Sequence, residues 1–174
     1  VKLKIWRFKI MIEIENRITF NELFLKILNL ISKRSSCKKY KVACLVIDED
    51  FKNIISFGYN GVPSGQQHCL DISNECNHFG EVEIHAEINA MAKVNNFLKH
   101  ELSLWCTHKP CLNCAKSIIA NKNTLKIERI YYIYDFQDKL CTEFNIDINR
   151  FFKDNGINLI NIDPKIYEEL IQKY

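Results

Sequence analysis

Two short clusters hold the side chains with the most chemistry to offer. His85-Ala86-Glu87 supplies an imidazole and a carboxylate, and Pro110-Cys111-Leu112-Asn113-Cys114 supplies two thiols. Imidazole nitrogen and thiolate sulfur are the donors that zinc takes in tetrahedral sites. His85, Cys111 and Cys114 make three such donors, one short of the closed set of a structural zinc. The open fourth position admits water, and water held there loses a proton near neutral pH. Glu87 is then left to move that proton. A lone Cys-x-x-Cys also serves redox chemistry or structural zinc. Neither use accounts for His85 and Glu87.

The surrounding elements must bring the two clusters to one place. Ile88, Met91 and Ala92 follow His85 at helical spacing and predict a helix over residues 85–98. Ile118 and Ile119 share a buried side with Cys114 in a second predicted helix over 111–120. Each cluster therefore opens a helix. Cysteines three apart on one turn can hold a single ion, and the unpaired N–H groups of that turn favour thiolate over thiol. Upstream, Phe20, Leu23, Phe24, Ile27, Leu28 and Ile31 predict a helix over 19–33, with Thr19 or Asn21 as its cap. Apolar runs at 42–47 and 54–57, separated by Asp48-Glu49-Asp50, predict a β-hairpin. Residues 58–80 lack periodicity and predict a long loop, of a length that implies a function or a metal to order it. Strands over 102–107, 130–134 and 157–162 alternate with helices over 111–120, 144–155 and 165–174. That order implies a mixed α/β sheet with helices on its faces and its last three strands parallel.

Composition narrows the class. A chain of 174 residues with 47% apolar content is one domain with an ample core. Its net charge of +3 makes no case for a nucleic-acid surface. No apolar run reaches the length of a membrane span. Eight cysteines would suit a secreted disulfide protein by count, but several stand at metal-ligand spacing. Cys44, Cys106 and Cys141 stand in apolar contexts that suit a core. Thiols kept for metal and core point to a reducing cytoplasm. Residues 1–18, where Trp6, Phe8, Ile10, Ile12 and Ile14 alternate with polar neighbours, are expected to be an extension or an edge strand ahead of a single domain over 19–174. They lack the pattern of a secretory signal.

The two clusters together form the His-x-Glu…Pro-Cys-x-x-Cys pattern of zinc nucleobase deaminases. Further segments sharpen the match: Arg34-Ser35-Ser36-Cys37, Gly58-Tyr59-Asn60-Gly61-Val62-Pro63-Ser64-Gly65, His68-Cys69 and Thr107-His108-Lys109-Pro110. Over residues 20–135 the chain resembles the deoxycytidylate (dCMP) deaminase family. The resemblance implies a three-layer α/β/α cytidine-deaminase-like fold with a mixed five-stranded sheet. It implies hydrolysis of dCMP to dUMP and ammonia, supplying the thymidylate precursor. It also implies a catalytic Zn2+ on His85, Cys111 and Cys114, with Glu87 as proton shuttle. A homo-oligomer is expected, and the family adds dCTP and dTTP as allosteric ligands.

Asn60 is implied to hydrogen-bond the sugar or phosphate, although its place between Tyr59 and Gly61 equally suits a turn. Ser36, Lys38, Lys39 and Lys41 are the candidates for phosphate contacts, set against the ordinary use of lysine on a solvated turn. Some family members carry a second, structural zinc on cysteines at the positions of Cys37 and Cys69. Cys76 and His78 would complete that set here, with His68 as an alternative fourth ligand. Two positions depart from the family pattern: Ala43 stands where a glycine is usual, and Lys109 where an apolar residue is common. Two other readings stay open. A related zinc deaminase could act on a nucleoside, a free base or tRNA. The tRNA reading expects a basic terminal helix, but Lys165, Glu168, Glu169 and Lys173 nearly cancel. A non-catalytic nucleotide-binding zinc protein needs the ligands but has no use for Glu87.

Overall fold

The computed structural model describes residues 17–50, 52–68, 82–95 and 100–172. Helix α1, Phe20–Ser32, starts at a full capping box. The Thr19 hydroxyl accepts from the Glu22 N–H at 3.2 Å, and the Glu22 carboxylate accepts from the Thr19 N–H at 2.7 Å. These bonds satisfy two of the donors a helix start leaves unpaired. Strands β1 (Ala43–Asp48) and β2 (Ile54–Tyr59) follow as an antiparallel pair. Next come α2 (Ala86–Met91), β3 (Leu102–His108), α3 (Leu112–Leu125) and β4 (Ile127–Tyr134). The chain closes with α4 (Lys139–Glu143), α5 (Ile148–Asp154), β5 (Asn158–Asn161) and α6 (Pro164–Gln172).

The five strands form one sheet in the order β2-β1-β3-β4-β5. β1 is antiparallel to both neighbours, whereas β3, β4 and β5 run parallel, as expected for strands joined through helices. Side chains alternate across β1 and so build two cores. Ala43, Leu45 and Ile47 face α1 and α6, packing on Phe24, Leu28 and Tyr167. Cys44 and Val46 face the opposite layer, with Ala86 and Ala90 of α2, Ile118 of α3 and Phe152 of α5. The result is the expected three-layer α/β/α sandwich. Cys44 and Cys106 are core residues, paired across β1 and β3, while Cys141 is only half-buried. Ala43 is fully buried on the α1 side, so its methyl is absorbed there, away from the α2–α3 layer.

Several boundaries differ from the sequence expectation. The helix after His85 ends at Met91, where tighter bonds from Lys93 and Val94 to carbonyls three residues back close it ahead of Asn95. The expected helix over 144–155 forms only as α5, from Ile148 to Asp154, because Asn145 turns to a left-handed φ of 50° ahead of it; α4, over Lys139–Glu143, was not expected. β4 begins at Ile127, because Ile127 is buried and pairs with Leu102 although Glu128 and Arg129 interrupt the apolar run. Residues 1–16 of the proposed extension lie outside the described residues, as do positions 69–80 of the long loop. No helix among the described residues is long and apolar enough to cross a membrane.

One glycine decides where α2 lies. A Cβ on Gly58 would stand 2.2 Å from the Ala86 carbonyl oxygen and 2.5 Å from the Ala90 nitrogen. Both obstacles are helix backbone, which cannot swing aside. Flanking bonds hold the close approach: Ser56 Oγ donates to the Ala90 carbonyl at 2.8 Å, and Asn89 Nδ2 donates to the Tyr59 carbonyl at 3.0 Å. Gly58→Ala is therefore expected to push α2 off β2. The cost should be about 3 kcal/mol, the upper end of overpacking effects. A lowered denaturant midpoint together with a lowered zinc content would show it, since α2 carries Glu87 and follows His85.

Candidate active site

The two clusters meet. His85 is the residue capping α2, and Cys111 the residue capping α3. Neither is a usual capping type, and the His85 side chain makes no capping bond. Its ring turns instead toward the thiols. His85 Nδ1 lies 3.3 Å from Cys111 Sγ and 3.2 Å from Cys114 Sγ. A tetrahedral zinc with Zn–S of ~2.3 Å and Zn–N of ~2.0 Å sets its nitrogen and sulfur donors roughly 3.5 Å apart. All three donor atoms lie within 4.8 Å of one another. The set therefore fits a zinc ion in number, type and spacing.

Its electrostatics agree. The hydrogen bond from the Cys114 thiol brings Cys111 down to about 4, and Cys111 in turn raises His85 to about 9. The same hydrogen bond to Cys111 and burial drive Cys114 strongly upward. One thiolate forms readily here, but a second needs a cation between the sulfurs, and a zinc ion supplies it. Glu87 sits in the first turn of α2 and is 4% exposed. Burial, followed by the charge of Cys111, raises its pKa from the ordinary carboxylate value.

A cavity opens over His85, Glu87 and Cys111. Tyr40 stands edge-on to two rings across it, His108 at 6.1 Å and Phe136 at 5.9 Å. Burial lowers the pKa of His108 and so keeps its imidazole neutral. Asp138, also in the wall, braces the metal helix: its carboxylate accepts from the Leu112 N–H at 2.7 Å and from the Leu140 N–H at 3.0 Å. That places a carboxylate at the positive end of α3 and ties it to the start of α4.

Asn60 lines the cavity but also works as a strut. Its Oδ1 accepts from Ser35 Oγ at 2.6 Å and from the Val42 N–H at 2.9 Å, and its Nδ2 donates to the Tyr40 carbonyl at 2.9 Å. The turn-anchor reading is therefore seen in these bonds, and the residue also stands in the cavity wall. Lys38, Lys39 and Lys41 are not among the side chains lining the cavity, and Lys39 and Lys41 are exposed. Lys109 does line it. Of the second zinc set, Cys37 is buried with its thiol pKa raised, chiefly by burial, and His68 is exposed. Cys69, Cys76 and His78 lie outside the described residues.

Sequence reasoning missed Tyr40, Phe136 and Asp138 as parts of the site. They come from connecting segments without periodicity, and only the fold brings them over the metal ligands. His108 and Lys109 lay within the quoted motif, but as neighbours of Pro110 rather than as cavity walls.

The chain matches the model of the cytidine and deoxycytidylate deaminase zinc-binding region over residues 18–133. It is 32% identical over 128 residues to ComE operon protein 2 of Bacillus subtilis, covering 70% of this chain and 62% of that protein. It is 28% identical over 113 residues to a probable deoxycytidylate deaminase of Caenorhabditis elegans, covering 63% of this chain and 55% of that protein. The chain thus spans little more than half the length of these curated relatives. The dCMP deaminase of cyanophage S-TIM5 in its apo form superposes with a TM-score of 0.59 at 26% identity, over 81% of this chain and 95% of that one. The same phage enzyme in complex with dCMP and dUMP superposes at 0.62 with 24% identity, over 84% of this chain and all of that one, and confirms the fold. A match across most of the domain, joined to a donor set that fits zinc, places this chain in the cytidine and deoxycytidylate deaminase family.

Proposed function

We propose that this protein hydrolyses dCMP to dUMP and ammonia. The observation that carries the proposal is a buried carboxylate, Glu87, beside a three-donor metal set in the wall of an aromatic-lined cavity. Relatives named as deoxycytidylate deaminases, one of them solved with dCMP and dUMP, support the choice of substrate. His85, Cys111 and Cys114 would hold a zinc ion, which would supply the Lewis acidity that readies a water to lose its proton near neutral pH. Glu87 takes that proton as the water adds to C4 of the pyrimidine. It delivers that proton to N3, then takes the remaining proton of the hydroxyl added at C4 and passes it to the amine, which leaves as ammonia as the C4 carbonyl forms. A carboxylate serving first as base and then as acid works best with a raised pKa, which its burial favours. Tyr40, His108 and Phe136 give the cavity an aromatic lining suited to packing against a pyrimidine ring. By the same family reading, we place the enzyme in the cytoplasm as a homo-oligomer with dCTP and dTTP as regulators.

Ammonia release from dCMP, CMP, deoxycytidine, cytosine and tRNA tests the proposal. A site built for a charged phosphate rejects the uncharged nucleoside, which forgoes the charge-assisted bond the phosphate would make. Preference for dCMP over deoxycytidine in kcat/KM is expected to be well over ~100-fold. Equal rates on both would move the protein to the nucleoside branch. No ammonia from any of the five would leave a non-catalytic zinc protein.

A further inference from the structure

We infer that Lys109 reads the 5′-phosphate of the substrate; the inference rests on the nucleotide reading above. Among the described residues lining the cavity, Lys109 is the single Lys or Arg. The same wall carries the carboxyl groups of Glu83, Glu87 and Asp138. Beside these acidic residues a phosphate is better accepted where a cation sits with it, and Lys109 is the lining residue that brings one. Lys38, Lys39 and Lys41 are not among the residues that line the cavity.

Lys109 is also built to wait for an anion. Its N–H donates to the Tyr134 carbonyl at 2.9 Å, which fixes its backbone at the end of β3. Its side chain is only 12% exposed, and its ammonium lies 5.5 Å from the centre of the Tyr132 ring. A stem packed in this way has already lost most of its rotamer freedom, so little ordering is left for ligand binding. The ring face favours a cation without neutralising it. Its ion-pair partner, Asp135, is 74% exposed and touches it at 3.3 Å. With Asp135 largely in water its hold on the ammonium is screened, whereas a phosphate dianion in a partly enclosed site is a stronger acceptor. The ammonium therefore exchanges Asp135 for phosphate when a nucleotide arrives. Lys109 stands two residues before Cys111, so a phosphate held there keeps the pyrimidine within reach of the metal ligands and Glu87.

The test measures equilibrium binding of dUMP and of deoxyuridine by calorimetry, which needs no turnover. The probes are wild type, Lys109→Met and Lys109→Arg, each matched for zinc content. Wild type is expected to bind dUMP more tightly than deoxyuridine. Lys109→Met should shrink that ratio by about 10- to 100-fold, the worth of one charged hydrogen bond, and Lys109→Arg should restore most of it. An unchanged ratio in Lys109→Met overturns the inference, as does a wild type that binds both equally. Ammonia release from dCMP is followed separately. A Lys109-dependent preference for dUMP without any deamination would sink the proposed activity and leave the phosphate contact standing.

Discussion

Glu87→Gln is expected to keep its zinc and its fold while losing at least ~100-fold in dCMP turnover, the usual scale of general acid–base catalysis. Glutamine matches glutamate in size, which matters because Glu87 is 4% exposed and packed within the first turn of α2. Its amide still makes hydrogen bonds, so the local structure has no reason to rearrange. What it cannot do is carry the two protons of the water in turn, the first to N3 and the second to the leaving amine. Burial and the charge of Cys111 both resist a second negative charge at this position, so a neutral amide should hold the fold at least as well. The measurement is kcat beside zinc content by elemental analysis. Near-normal turnover with full zinc would hand the proton to another group, and the neutral imidazole of His108 in the same cavity would be the next to test. Loss of zinc together with turnover would instead make Glu87 part of the metal site's assembly.

The chemistry was easier to read in the chain than the cavity. His85, Glu87, Cys111 and Cys114 declare themselves because ligand spacing is local: the residues lie a few positions apart at two helix starts. The layers followed from periodicity, since β1 is buried on both faces and β3–β5 are joined by helices. Periodicity failed where charge or a backbone turn interrupted it. Glu128 and Arg129 hid the start of β4, and the left-handed turn at Asn145 hid the late start of α5 and the short α4 ahead of it. The short end of α2 depends on local bonding that no apolar pattern encodes. Cavity walls were harder still, because wall membership is set by the order of strands. Tyr40 precedes β1 while Phe136 and Asp138 follow β4, and they meet because both ends lie near the metal ligands. The lysines at 38, 39 and 41 stood out by number, but the one in the wall is Lys109, which sequence alone marked only as an odd neighbour of Pro110.

Cys111→Ala is expected to empty the catalytic metal site and abolish deamination. The variant leaves one imidazole and one thiol, two donors where a catalytic zinc needs three. Loss of groups that merely orient metal ligands costs 10- to 100-fold in affinity, so loss of a ligand itself should exceed ~100-fold. The same sulfur accepts the Cys114 N–H at the start of α3, a capping bond worth about 1 kcal/mol. α3 should survive that loss, because Leu112, Ala115 and Ile118 remain buried beneath it. The larger loss of stability comes from the missing ion, since metal binding contributes directly to folding free energy. Chelator-treated wild type should therefore melt close to Cys111→Ala, within the small capping contribution. If the chelated wild type melts well below the variant, a further zinc has been removed from elsewhere, as a structural site involving Cys37 would require. Full catalytic zinc in Cys111→Ala, by elemental analysis with retained turnover, would overturn the ligand set.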